Sequence, residues 1–192
     1  MLNNVNTEIF WQKMCLYRQM EEMYTQLVEE CRRRDRRAMR RLYETTAPMA
    51  MGVCMRYCRN REEAQDVMQD GYVKVFERIG RLREPEKLMA WVYQLMVNEC
   101  LNHLRDRMET VSLDEVKSEP AAPPLDPFAQ EEVVAALQKL PERYRAVFNL
   151  LEIEGVTPEE TARRLNTSLK NLRVMFSRSC LFLKELLENE KG

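Results

Sequence analysis

Residues 137–187 read LQKLPERYRAVFNLLEIEGVTPEETARRLNTSLKNLRVMFSRSCLFLKELL, and their own punctuation divides them into four helices. Pro141 sits where the first turn of a helix tolerates proline, and Ala146, Val147, Leu150, Leu151 and Ile153 then mark a buried stripe. Gly155 ends that helix. Thr157, Pro158 and Glu160 supply the next one with an N-cap, a proline in the first position and a capping-box carboxylate. Ala162 and Leu165 face inward, Asn166 and Thr167 make a turn, and Ser168 caps again. The helix from Leu169 turns Leu172, Met175 or Phe176, Ser179 and Leu183 toward the core. From Thr167 to Lys184 it holds Lys170, Arg173, Arg178 and Lys184 and no acid. Two short helices joined by a tight turn, the second one basic, form a helix-turn-helix suited to the major groove. Lys170, Asn171 and Arg173 stand early in that helix, where side chains meet bases or phosphates. Arg178, over a turn later, meets backbone phosphate or an internal acid. About three phosphate contacts imply a logarithmic salt slope of about −2.7.

Upstream, Pro120, Pro123, Pro124 and Pro127 fall in an acidic segment with Glu115, Glu119 and Asp126, a density that no helix survives. Residues 109–127 therefore read as a flexible acidic linker between an N-terminal helical domain and a C-terminal one at 128–192. About 20 such residues span roughly 25 Å root mean square. Before the linker, Ala64, Val67, Met68, Tyr72, Val75, Phe76 and Ile79 recur at helical spacing, with Asp66, Gln69, Val73 and Glu77 on the opposite stripe. The next helix starts after Pro85 and buries Leu88, Val92, Leu95, Met96, Leu101 and Leu104. Its other face reads Trp91, Gln94, Asn98, Asn102, Arg105. Amides bond base edges, rings stack on unpaired bases and arginine holds phosphate, so this ridge suits a nucleic-acid strand. Trp91 itself, at helix spacing, reads as packing more readily than as stacking, which leaves the amides as the stronger part of the ridge. The fold class is all-α, in two small helical domains.

Composition narrows the chemistry. The 192 residues contain five glycines and no G-x-G or G-x-x-x-x-G-K pattern, so nucleotide-cradling loops are excluded. His103 is the only histidine, which excludes H-E-x-x-H and paired-imidazole sites. Six cysteines show no C-x-x-C, and Cys54 and Cys58, flanked by Met51, Val53 and Met55, read as buried structural thiols. With no hydrophobic leader and no apolar run beyond Leu88–Val97, itself interrupted by Gln94, the expectation is a cytoplasmic protein without membrane insertion. An enzyme would have only pairs such as Glu62 with Asp66 to offer, and no metal or cofactor is expected.

A net charge of −1 conceals a strong local pattern. Residues 31–60 carry nine arginines against Asp35 and Glu44, seven of them at 32, 33, 34, 36, 37, 40 and 41. Such a run reads either as a solvated helix face or as a footprint for a polyanion.

Taken together these segments resemble the extracytoplasmic-function sigma factors, the smallest members of the sigma-70 class. The likeness runs from about Tyr24 to Leu187. DRRAMRRLYE, NREEAQDVMQDGYVKVF and LMAWVYQLMVNECLNHLRDR resemble region 2, and ALQKLPERYRAVFNLLEIEGVTPEETARRLNTSLKNLRVMFSRS resembles region 4. The resemblance implies region 2 at 24–108, region 4 at 128–192, and an N-terminal extension at 1–23, with Phe10, Trp11, Met14 and Tyr17, that forms an extra helix of no assigned role. It implies binding to bacterial core RNA polymerase, through the beta-prime coiled coil and the beta flap, with Asp66, Gln69, Asp70 and Val73 as polymerase contacts. It implies reading of the −10 promoter element by Lys87, Trp91, Asn98, Asn102 and Arg105, with the loop Arg81 to Lys87 forming a pocket for a flipped base. The −35 element falls to Ser168, Lys170, Asn171, Arg173 and Arg178. An anti-sigma factor, commonly membrane-anchored in this family, is implied as a further partner. The chain departs from the family pattern at Gln65, Gly71–Tyr72, Asn102 and Met175, which bears on base contacts and promoter sequence rather than on the activity. The competing reading is a stand-alone helix-turn-helix regulator with a helical partner-binding domain.

Overall fold

The computed structural model describes residues 3–110 and 130–189, with side chains placed for 18–107 and 134–186. Every described element is helical: α1 (Asn3–Arg32), α2 (Arg36–Tyr57), α3 (Arg61–Arg78), α4 (Leu88–Thr110), α5 (Gln130–Gln138), α6 (Glu142–Phe148), α7 (Pro158–Arg164) and α8 (Leu169–Asn189). Two 3₁₀ turns, Ile79–Arg81 and Pro85–Lys87, join α3 to α4, and a π-helical turn, Asn149–Ile153, prolongs α6. The all-α expectation holds. The segment read as a linker lies outside the described residues except for its first two, which end α4. The N-terminal extension is helical from Asn3, and α1 runs unbroken through position 23 to Arg32.

Contacts gather the described residues into two compact units, 1–49 with 72–95 and 50–71 with 96–192. In the first, Leu27, Val28 and Cys31 of α1 are buried, as are Ala38 and Leu42 of α2, Tyr72 and Val75 of α3, and Leu88 and Val92 of α4. Thr46, fully buried, returns its hydroxyl to the Leu42 carbonyl at 2.8 Å and shares a 2.7 Å bond with the Tyr72 hydroxyl. Burial pushes the Cys31 thiol up to about 11. Helix α1 ends in a sharp turn: Arg34 has φ +61°, its N–H reaches the Cys31 carbonyl at 3.0 Å, and the Asp35 N–H reaches back to Glu30 at 3.2 Å. Asp35 then caps α2, its carboxylate accepting the Ala38 N–H at 2.8 Å. A left-handed conformation costs an ordinary side chain about 1 kcal/mol, which is why glycine usually fills this position.

In the second unit, Val53 and Cys54 of α2, Cys58 just after it, Ala64 and Val67 of α3, and Met96 and Cys100 of α4 are buried, as are Leu137, Leu140, Val147, Leu150 and Leu172. A Cβ at Gly71 would stand 2.5 Å from the Met96 sulfur, so a larger residue there would require the Met96 side chain to shift. Cys54 and Cys58 are buried thiols, as the sequence predicts, and Cys100 lies 3.9 Å from Cys54. The Cys54 and Cys58 thiols, and then burial, hold Cys100 well above the usual thiol range, so it packs as a protonated group.

The least expected member of this core is Arg145, only 2% exposed. Its guanidinium donates to the carbonyls of Tyr57 (3.2 Å) and Cys58 at the end of α2, and to those of Gln138 and Leu140 (2.9 Å each). Asn149 donates to the Arg56 carbonyl at 2.9 Å, and Gln138 to that of Met55 at 3.1 Å. The last carbonyls of a helix have no partner within it, and side chains of α5, α6 and the π turn satisfy those at the end of α2. Ion pairs Arg56–Glu154 (3.1 Å), Arg59–Glu142 and Arg107–Glu142 (3.0 Å) surround this contact. One expected core residue moves outward. Ile153 is 39% exposed, because the π turn inserts an extra residue and rotates the stripe that Ala146, Val147 and Leu150 begin.

Candidate functional site

Three outward faces carry the residues singled out by sequence. On α3, Asp66, Gln69, Asp70 and Val73 are all exposed, while Ala64, Val67, Met68, Tyr72 and Val75 fill the opposite side. Among the described residues neither Asp66 nor Asp70 has a basic partner. Val73 is 57% exposed. Two free carboxylates, an amide and a bare valine on one helix face offer acceptors and a small apolar spot, the character of a protein-docking surface rather than a reactive centre.

On α4 the predicted ridge is present. Gln94, Asn98 and Arg105 are exposed, and Trp91 and Asn102 are half-buried. Trp91 thus divides its ring between packing and solvent. Arg105 donates to the Asn102 side-chain oxygen, and Asn102 lies 3.5 Å from the Glu99 carboxylate, so these two positions are pre-paired and Gln94 and Asn98 are the exposed amides. Lys87, just before α4, is exposed and paired with Glu84, which raises its pKa. Around it, Arg81, Arg83 and Glu86 face solvent while Leu82 is buried, so the loop between α3 and α4 is pinned by one apolar side chain. Arg32 donates to the Leu82 carbonyl and holds it from the other side.

On the C-terminal helices, Thr157 accepts the Glu160 N–H at 3.3 Å, capping α7 as its sequence predicts. The Glu160 carboxylate turns instead to Arg164 at 2.9 Å and Arg163 at 2.5 Å, and Arg164 first of all holds its pKa down. Asn166 takes φ +48° in the turn, and Ser168 accepts the Asn171 N–H at 3.2 Å. Ser168 is therefore first a cap, with its hydroxyl proton left to donate. Lys170, Asn171 and Arg173 are exposed. Leu172 packs inward with Val147 and Ala162, flanked by Leu151, Leu165, Met175 and Phe176. The buried Ser179 hydroxyl bonds the carbonyls of Met175 (2.8 Å) and Tyr144 (3.0 Å). Arg178 donates to the Tyr144 hydroxyl at 3.3 Å, rather than to an acid.

Sequence reasoning missed Arg145 and Asn149. The signal was present in their i, i+4 spacing beside Ala146, Val147 and Leu150, which puts two polar groups on an otherwise apolar stripe. Among the described residues no three acidic, cysteine or histidine groups gather as a metal site, and no helix is long and apolar enough to cross a membrane.

Residues 42–110 match the family model for sigma-70 region 2, and residues 130–183 match that for sigma-70 region 4. The RNA polymerase sigma-H factor of Pseudomonas aeruginosa is 27% identical over 169 residues, covering 80% of this chain and 88% of its own. The extracytoplasmic-function RNA polymerase sigma-E factor of Haemophilus influenzae is 22% identical over 180 residues, covering 85% and 93%. Among solved structures, CnrH in complex with the cytosolic domain of CnrY has a TM-score of 0.47 at 19% identity, covering 88% of this chain and 98% of that one. With both regions matched in their family order over the two helical segments, the chain belongs to the sigma-70 family, in its extracytoplasmic-function group.

Proposed function

We propose that the chain is a promoter-specificity subunit of a cytoplasmic bacterial RNA polymerase, built as region 2 at 24–108, a linker at 109–127 and region 4 at 128–192. The observation that carries the reading is the presence of both family regions, in order, with free polar groups on an outward face of each. Asp66, Gln69, Asp70 and Val73 take the beta-prime coiled coil, whose basic side chains their unpaired carboxylates would accept. Lys87, Trp91, Asn98, Asn102 and Arg105 read the −10 element. Unstacking one base costs a few kcal/mol, roughly what stacking and hydrogen bonds in a pocket return, so trapping an opened strand needs no catalytic residue. Ser168, Lys170, Asn171, Arg173 and Arg178 read the −35 element, and region 4 also meets the beta flap. The chain performs no reaction of its own, and an anti-sigma factor covers the polymerase-binding face when transcription is not required.

Each reader alone is weak. Joined through the polymerase, the second binds at an effective concentration set by the tether, and selectivity follows from requiring both. Purified chain added to core polymerase is expected to yield promoter-dependent transcripts that neither yields alone. Tight footprints on duplex DNA without polymerase, together with no binding to core, would instead establish a stand-alone regulator.

A further inference from the structure

The arginine run is left unused by all three faces, and it precedes residue 42, where the match to region 2 begins. It occupies the corner between α1 and α2 in the first unit. Arg32 is turned to Glu29 and the Leu82 carbonyl, Arg40 to Glu44, and Arg41 to Glu30. Arg33, Arg34, Arg36 and Arg37 remain. All four are exposed, and among the described residues none is paired with a carboxylate. The one acid between them, Asp35, has an oxygen committed to the Ala38 N–H. Arg34 is held in the left-handed region at φ +61°, a position where glycine would relieve the backbone. A charge kept at a strained position, beside three more with only Asp35 to offset the four, points to an external polyanion.

We infer that this corner is a third nucleic-acid contact, independent of base sequence, that grips the phosphodiester backbone of promoter DNA. The inference rests on the promoter-binding reading above. Arginine alone supplies the seven cations from 32 to 41, and its planar fork matches phosphate oxygens in pairs, which lysine does not. Stable anchoring on an anionic membrane would call for apolar side chains beside the cations, whereas Ala38 is buried and Met39 half-buried. Exposed arginines on a turn, with no apolar wedge, suit a backbone that carries charge and no sequence information.

The test uses full-length chain in complex with core polymerase, on a promoter fragment and on the same fragment with both elements scrambled. Replacing Arg33, Arg34, Arg36 and Arg37 together by glutamine is expected to leave assembly with core unchanged. It should weaken both DNAs by the same factor and flatten the logarithmic salt slope by about 0.9 for each phosphate no longer neutralised. Arg34→Gly alone gives two readouts of opposite sign: DNA binding falls while the melting temperature rises by about 2 °C as the backbone relaxes. A slope equal to that of the unmodified protein overturns the inference. So does loss of core binding in the glutamine variant, which would assign the corner to the polymerase, or loss only of binding to phosphatidylglycerol vesicles, which would assign it to a membrane. If the unmodified chain neither assembles with core nor binds the promoter, the parent reading falls, and the corner's role with it.

Discussion

Glu63 shows how much one side chain can hold. Burial works to raise its pKa, yet the Arg59 N–H at 2.7 Å, His103 at 2.8 Å and Arg107 together keep it below the usual carboxylate range. It thereby ties the start of α3 to the last turns of α4. A carboxyl with a depressed folded pKa contributes stability that is fully present above its unfolded value, about 4.3, and lost as pH falls through the folded one. Acid titration followed by circular dichroism should therefore show the native protein losing stability below about pH 4.3, and Glu63→Gln should remove that component of the pH dependence. The substitution should cost about 1–2 kcal/mol at neutral pH, since it replaces a charged acceptor by an amide in the same place. At Thr157 the expectation is simpler. Its hydroxyl satisfies one N–H of a seven-residue helix, so Thr157→Ala should cost about 1 kcal/mol in a denaturant titration.

On the proposed reading helices α3 and α8 serve different partners, so each should be open to impairment alone. Arg173 is exposed and lies one position beyond the buried Leu172, so Arg173→Ala should weaken binding at the upstream promoter element by roughly tenfold, at about 1–3 kcal/mol for a good base contact. Core association, measured separately, should not change. Lysine at both Asp66 and Gln69 should do the reverse, reducing core association by like charge while the isolated chain keeps its affinity for DNA. Much of this was legible in the sequence. Thr157 and Ser168 announce their caps, Gly155 (φ +64°) ends the turn where it was expected, and the α3 and α4 stripes face the sides that their spacing assigns. What failed did so for a physical reason. Ile153 continues the apolar spacing in the chain, but a π turn adds a residue to the circuit, and no one-dimensional period records that insertion. The spacing of Arg145 and Asn149 puts them on an apolar stripe, but the carbonyls they bond belong to the end of a helix about 90 residues earlier, a partner that local spacing does not record.

At the scale of the molecule, that arginine determines how the second unit coheres. Arg145→Ala would strand the carbonyls of Tyr57, Cys58, Gln138 and Leu140 at once, and with 1–3 kcal/mol for each buried group left unpaired the loss should reach about 3 kcal/mol or more. Thermal unfolding of the full chain should show it as a large drop in midpoint, where Arg59→Ala, at the exposed rim, should change little. The two kinds of contact also answer differently to the medium. Dissolved ions screen Arg59–Glu142 and Arg107–Glu142, and they compete still more strongly for every arginine that holds a phosphate. Arg145 is answered by peptide oxygens, which carry no net charge for a counterion to displace. Brine strong enough to strip this protein from DNA should therefore leave its second unit intact, so that it comes off the promoter folded and ready to bind again.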